Sequence, residues 1–173
     1  HPVLLHRRTR WMPDNQITHL LRDSKNRFWV ARERVCLYTD KDNFRIIPIE
    51  ADNKNVRQIL EDRNGRIFFN TGFQLYAYHP REEKITCVLP GISLGNTSYA
   101  QCHIALDNNL WVMTSTGLCC YDYLLQLKES VALNGYPYYS YLHNNELWIT
   151  GNHTLSHLRH PHAQLQAAAA AIA

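Results

Sequence analysis

A large aromatic residue follows a polar pair at the same offset four times along the chain: Lys25-Asn26 with Trp29, Asn64-Gly65 with Phe68, Asp107-Asn108 with Trp111, and Asn144-Asn145 with Trp148. The aromatics are spaced by 39, 43 and 37 residues. Asn-Gly is the dipeptide that most favours a two-residue hairpin turn, because both turn positions want a positive φ that Asn and Gly tolerate. A period of about 40 residues, with a hairpin turn and a Trp in each unit, marks the four-stranded blade of a β-propeller.

The clearest unit runs from Val56 to Tyr78, with Val56, Ile59 and Leu60 before the turn and Ile67, Phe68 and Phe69 after it. The chain therefore reads as an all-β segment of about four blades, at roughly 16–50, 55–89, 98–130 and 138–160. Residues 1–15 read as a lead-in or the end of a preceding blade. Residues 161–173 read as a tail whose alanine run suits a helical end or unassigned sequence. Pro48 marks the fourth strand of the first unit as an edge, since proline cannot donate to an inner ladder. A ring of such blades closes with about six to eight, so four imply part of a larger ring. The start HPVLLHRRTR lacks a signal-peptide pattern and reads as the start of an internal piece.

The unit Val56-x-x-Ile59-x-Glu61-Asp62-x-Asn64-Gly65-x-Ile67-Phe68, followed by Thr71-Gly72 and Leu75-x-x-Tyr78, resembles the repeat of the two-component regulator propeller family. The first unit matches at Ile17, Leu20, Asp23, Asn26, Trp29 and Tyr38, and the third at Asp107, Trp111, Thr116-Gly117-Leu118 and Tyr121. The fourth keeps Leu147-Trp148-Ile149-Thr150 but has Leu142 in place of the acid. The resemblance implies the periplasmic, ligand-recognising segment of a bacterial hybrid two-component receptor, responsive to glycan fragments. Its implied partners are an oligosaccharide, the remaining blades of the same receptor and a second copy in a homodimer.

Composition narrows the alternatives. The 18 basic and 15 acidic side chains give a net charge of only +3, and the basic residues are scattered, so no nucleic-acid footprint appears. The cluster His6-Arg7-Arg8-Thr9-Arg10 reads as a solvated loop. No apolar run approaches the ~18 residues that span a bilayer, so this segment does not itself insert. Five cysteines without a CxxC pair give no disulfide framework, leaving a pair such as Cys87 with Cys102 open.

The candidate chemistry is mostly structural. Trp29, Phe68, Trp111 and Trp148 are expected in the core between blades. Asp23 and Asp62, just before their turns, are expected to cap backbone N–H groups. His153, His157, His160 and His162 invite a metal, but strand residues four apart lie ~13 Å from each other, too far to share an ion. The expectation is no metal and no cofactor. No Gly-x-Ser-x-Gly, phosphate-loop or His-Glu-x-x-His motif occurs, which favours a non-catalytic role. The alternatives are a propeller-fold enzyme, lyase or hydrolase, or a protein-interaction scaffold.

Topology locates the binding surface. If a short turn joins the first two strands at one rim, the longer second-to-third and fourth-to-first connections share the other, and longer loops build pockets. The candidate ligand residues on that rim are Arg32, Arg34, Asn55, Gln74, Tyr99, Tyr138 and His153, with Asn53, Asn70, Asn96, Thr114, Tyr136 and Asn152 beside them.

Overall fold

The computed structural model describes residues 17, 19–31, 33–40, 43–50, 55–90, 101–105, 107–114, 117–134, 137–159 and 168–171. They form four antiparallel sheets of four strands each, every one a meander in chain order. The first holds β1 (His19–Arg22), β2 (Phe28–Ala31), β3 (Val35–Asp40) and β4 (Asn43–Ile47). The second holds β5 (Gln58–Glu61), β6 (Ile67–Asn70), β7 (Leu75–His79) and β8 (Lys84–Leu89). The third holds β9 (Cys102–Ile104), β10 (Leu110–Met113), β11 (Gly117–Tyr121) and β12 (Leu127–Ala132). The fourth holds β13 (Pro137–His143), β14 (Glu146–Gly151), β15 (Thr154–Arg159) and β16 (Ala168–Ala171). The last strand falls in the alanine run beyond residue 160, where Ala168 to Ala171 pair antiparallel with Thr154 to His157. The fold is a propeller arc, and it is not closed.

The sheets stack face to face, and each uses the same recipe. The aromatic of the second strand sits in a cross-strand row that points to the next sheet. Those rows are Leu21–Trp29–Leu37, Leu60–Phe68–Ala77, His103–Trp111–Cys120 and Tyr141–Trp148–His157. Trp29 meets Ile59, Phe69 and Ile85 of the second sheet, with the Phe69 ring edge-on at 5.7 Å. Phe68 packs with Cys102, Leu110 and Val112 of the third. Trp111 packs with Leu147, Ile149 and Leu158 of the fourth. Because both faces of the middle sheets are covered, β6 and β10 are buried at every residue, and apart from Asn70 at the end of β6 both read as apolar runs.

The fourth sheet departs from this. Trp148 holds the equivalent position, but it is 36% exposed, with its flanking Leu147 and Ile149 buried instead. No described sheet lies on its forward side. The expectation of four equally buried aromatics therefore holds for Trp29, Phe68 and Trp111 and fails for Trp148, which keeps the orientation but has no described sheet against it.

The first-to-second-strand turns differ from the expected two-residue form. In the first two sheets an Asp closes a longer turn: Asp23 N–H donates to Arg27 O at 2.9 Å, and Asp62 N–H to Arg66 O at 2.9 Å. A single left-handed residue completes each, Asn26 (φ 60°) and Gly65 (φ 76°), as in a turn with a glycine-type bulge. In the third sheet Ala105, not Asp107, holds the acid's position, its N–H donating to Asn109 O at 2.9 Å. Only the fourth sheet has the two-residue turn, with Asn144 (φ 48°) and Asn145 (φ 61°) between the paired His143 and Glu146. Leu142 pairs with Leu147 there, so losing the acid shortens the turn.

The capping role of the acids is as expected. Asp23 Oδ1 accepts the N–H groups of Lys25 (3.0 Å) and Arg27 (2.9 Å), while Oδ2 accepts Arg27 Nε (2.7 Å) and the Trp29 indole (2.9 Å). Asp62 does the same for Asn64, Arg66 and the Arg66 guanidinium, at 2.9, 2.8 and 2.5 Å. With Ala105 in the third sheet, the Trp111 indole nitrogen is left buried without a hydrogen-bond partner among the described residues.

A consequence is testable by pH. Burial alone would raise the Asp23 pKa, but the Trp29 indole and the Arg27 N–H and guanidinium together hold it below the ordinary carboxylate value. Its folded pKa is depressed, so its contribution is complete above the unfolded value of about 4 and is lost as pH falls through the folded one. Asp23→Asn is expected to lower stability by about 1–3 kcal/mol at neutral pH and to flatten the acid side of the melting-temperature profile, followed by circular dichroism. An unchanged acid limb would remove Asp23 as its cause.

Three described details settle smaller points. β4 is an edge strand, and Pro48 O accepts Ile85 N–H from the second sheet at 3.1 Å, so the proline marks a chain leaving its blade. The match of Thr116-Gly117 to Thr71-Gly72 is out of register: Thr114 closes the third sheet's loop as Thr71 closes the second's, and Gly117 opens β11. All five cysteines are free, including Cys87 on the surface and Cys102 inside.

Candidate ligand-binding rim

The first strands lie innermost: β1 sits beside β5, and β5 beside β9. A meander that begins at the axis sends its first-to-second and third-to-fourth turns to one rim. The second-to-third connections and the long returns to the next inner strand share the other. The structure places the candidates on this second rim. Arg34 stands exposed before β3, Asn55 exposed before β5, Gln74 half-buried before β7, Tyr138 exposed in β13, and His153 (φ 57°) exposed in the turn between β14 and β15. They are spread around the arc on three sheets rather than gathered at one point. Arg32 and Tyr99 lie outside the described residues, as do Asn53, Asn96, Tyr136, His160, His162 and the His6–Arg10 cluster.

Gln74 is already engaged. Its side-chain oxygen accepts the Tyr76 hydroxyl, and its N–H donates to Thr71 Oγ1 at 3.3 Å. It shapes the loop more than it faces outward. Asn70 is fully buried, its Oδ1 accepting Gly72 N–H at 2.7 Å.

Polar side chains tie neighbouring sheets together near the axis. Gln58 grips the backbone of Cys102 with both ends of its amide, donating from Nε2 to the carbonyl and accepting the N–H at Oε1, each at 2.8 Å. Its repeat equivalent, Gln101, accepts the Ser140 N–H at 3.0 Å and the Ser140 hydroxyl at 3.1 Å. His103 shares that hydroxyl at 2.8 Å, and burial pulls its pKa down to about 4, so the ring is neutral at physiological pH. Burial pushes the Cys102 thiol up to about 12, which leaves it a poor nucleophile. These groups have the character of structural fasteners. Among the described residues no group of three His, Cys, Asp or Glu could hold a metal ion.

The sequence reading missed one pair on the rim. Phe73, at the tip of the loop between β6 and β7, is 44% exposed, and the Arg57 guanidinium lies over its ring at 5.8 Å from the centroid. Gly72 makes this arrangement possible. Its φ is +85°, and a Cβ there would come within 2.9 Å of Arg57 Nη1, so the guanidinium lies across bare backbone. The sequence signal was a large aromatic directly after a loop glycine, which hydrophobic periodicity ignores.

A comparison with protein-family models finds no match, and one with curated protein sequences finds none either. Solved structures do match. The virginiamycin B lyase of Staphylococcus aureus superposes with a TM-score of 0.67 at 17% identity, covering 84% of this chain and 53% of that one. The extracellular domains of two hybrid two-component systems of B. thetaiotaomicron superpose with TM-scores of 0.67 and 0.66, at 18% and 15% identity. Each covers 91% of this chain, and the chain covers 25% and 23% of them. The chain shares the propeller fold of sensors and lyases alike. It spans about half the length of the lyase and about a quarter of the sensor domains.

Proposed function

We propose that the chain is a non-catalytic, ligand-sensing propeller segment of a bacterial two-component receptor, placed in the periplasm and recognising a glycan fragment or similar polar ligand at its long-loop rim. The observation that carries this is the exposed Phe73 ring with the Arg57 guanidinium fixed over it. An exposed aromatic plate suits a sugar, which offers one C–H face to stack on it and a periphery of hydroxyls for polar neighbours. The repeat resemblance and the likeness to sensor extracellular domains support the same reading. Further blades of the same receptor are proposed to continue the arc at both ends.

The lyases have equal fold similarity behind them, so turnover is the rival outcome. Titrating the chain with a panel of neutral and acidic oligosaccharides by calorimetry, with product analysis of each mixture, separates the two. The proposal expects saturable heat with the glycan recovered intact. Recovery of cleaved or eliminated products would make the chain an enzyme, and binding of a protein partner with indifference to every sugar would make it a scaffold.

A further inference from the structure

We propose that the joint between the third and fourth sheets is a proton-sensitive hinge of the arc: it loosens when the His103 ring becomes charged, while the equivalent joint between the second and third sheets stays shut. The cause is one ionisable ring in a row that is otherwise apolar on that strand. His103 stands where the first two sheets place Leu21 and Leu60, in the cross-strand row that carries the aromatic, and so faces the fourth sheet. There its Nε2 meets the hydroxyl of Ser140, which is buried.

The hydrogen bonds fix which nitrogen carries the proton. The Ser140 backbone N–H can only donate, so the Gln101 side-chain atom 3.0 Å away is its oxygen. The Ser140 hydroxyl, 3.1 Å from the same oxygen, then donates to it as well. That leaves the hydroxyl oxygen to accept from His103 Nε2–H at 2.8 Å, and Nδ1 to receive the second proton. Charging the ring puts a cation between two sheets.

No described carboxylate stands opposite it. From the fourth sheet Ser140, Leu142, Leu147, Ile149 and Leu158 face the joint, while Tyr139, Tyr141 and His143 alternate to the outer face. On its own sheet the row runs on through Trp111 and Cys120 to Glu129, three strands away, and Asp107 and Asp122 lie in turns at the opposite rim. Glu61, on the adjacent β5, is held by Ser24 of the first sheet. Burial accordingly holds the His103 pKa down to about 4, against about 6.5 for an ordinary histidine. The closed joint accepts the neutral ring, so its stability is complete above pH ~6.5 and is lost as pH falls from there toward 4. Thr114 and Tyr138 stand on the long-loop rim at either side of this joint, so its opening reshapes the rim between them.

Amide hydrogen exchange tests the hinge, because two equivalent amides report on the two joints. Ser140 N–H donates to Gln101 across the third-to-fourth joint, and Cys102 N–H donates to Gln58 across the second-to-third. The Cys102 thiol, pushed up to about 12, does not titrate in the window. Between pH 7.5 and 5.5, after correction for the intrinsic rate, Ser140 should lose about tenfold in protection and Cys102 should stay within about twofold. His103→Gln keeps a donor for the Ser140 hydroxyl without a titrating ring, and should make Ser140 as insensitive to pH as Cys102. His103→Leu, the residue of the first two sheets at this position, should do the same.

Ser140 protection that is equal at both pH values in the native chain would overturn the inference. So would a loss shared equally by Cys102, which would mean opening of the whole arc, or a loss that survives both substitutions.

Discussion

Trp29→Ala is expected to cost about 3–5 kcal/mol in urea unfolding followed by circular dichroism, while Trp148→Ala costs about 1 kcal/mol or less. The two residues occupy the same repeat position. Trp29 is fully buried, has the rings of Phe69 and Tyr78 edge-on at 5.7 and 4.8 Å, and donates its indole N–H to Asp23. Removing it leaves a cavity between two sheets and takes one hydrogen bond from a buried carboxylate. Trp148 is partly exposed and has a stacked neighbour in His157, with ring centroids 3.8 Å apart. Its loss opens no closed cavity. Equal losses at the two positions would mean that the forward face of the fourth sheet is covered after all.

That contrast shows what the sequence could and could not carry. A repeat encodes orientation: the offset of four residues from turn to aromatic places Trp29, Phe68, Trp111 and Trp148 on the same face of their sheets. It does not encode whether another sheet covers that face, so burial at Trp148 was not legible. Turn acids were legible because a carboxylate before a turn has one common use. Turn length was not, since Asn64-Gly65 suits a two-residue turn equally well until Asp62 closes a longer one. The rim followed from connectivity alone. The Arg57–Phe73 pair did not, because it depends on the backbone at Gly72 lying open under the guanidinium.

The second large expected effect is self-association. The forward face of the fourth sheet exposes Tyr139 (49%), Tyr141 (54%) and Trp148, and the backward face of the first exposes Leu20 (65%) and Ile46 (45%) around buried Val30 and Cys36. Every internal joint of the arc pairs an aromatic forward row with an apolar backward row. The two faces with no described sheet against them are the same two halves, so in the isolated chain the forward face of one copy should seat on the backward face of another. Such a contact is heterologous and runs on into open-ended oligomers unless its rotation closes.

Sedimentation of blocked variants tests this stacking directly. Trp148→Glu spoils the forward face, Ile46→Glu the backward face, and each variant alone should remain monomeric where the native chain forms concentration-dependent oligomers. Mixed in equal amounts, they still hold one intact forward face and one intact backward face between them. The mixture should therefore form a dimer and nothing larger. A native chain that stays monomeric at every concentration, or a mixture that stays monomeric while the native chain associates, would contradict head-to-tail stacking of the four sheets.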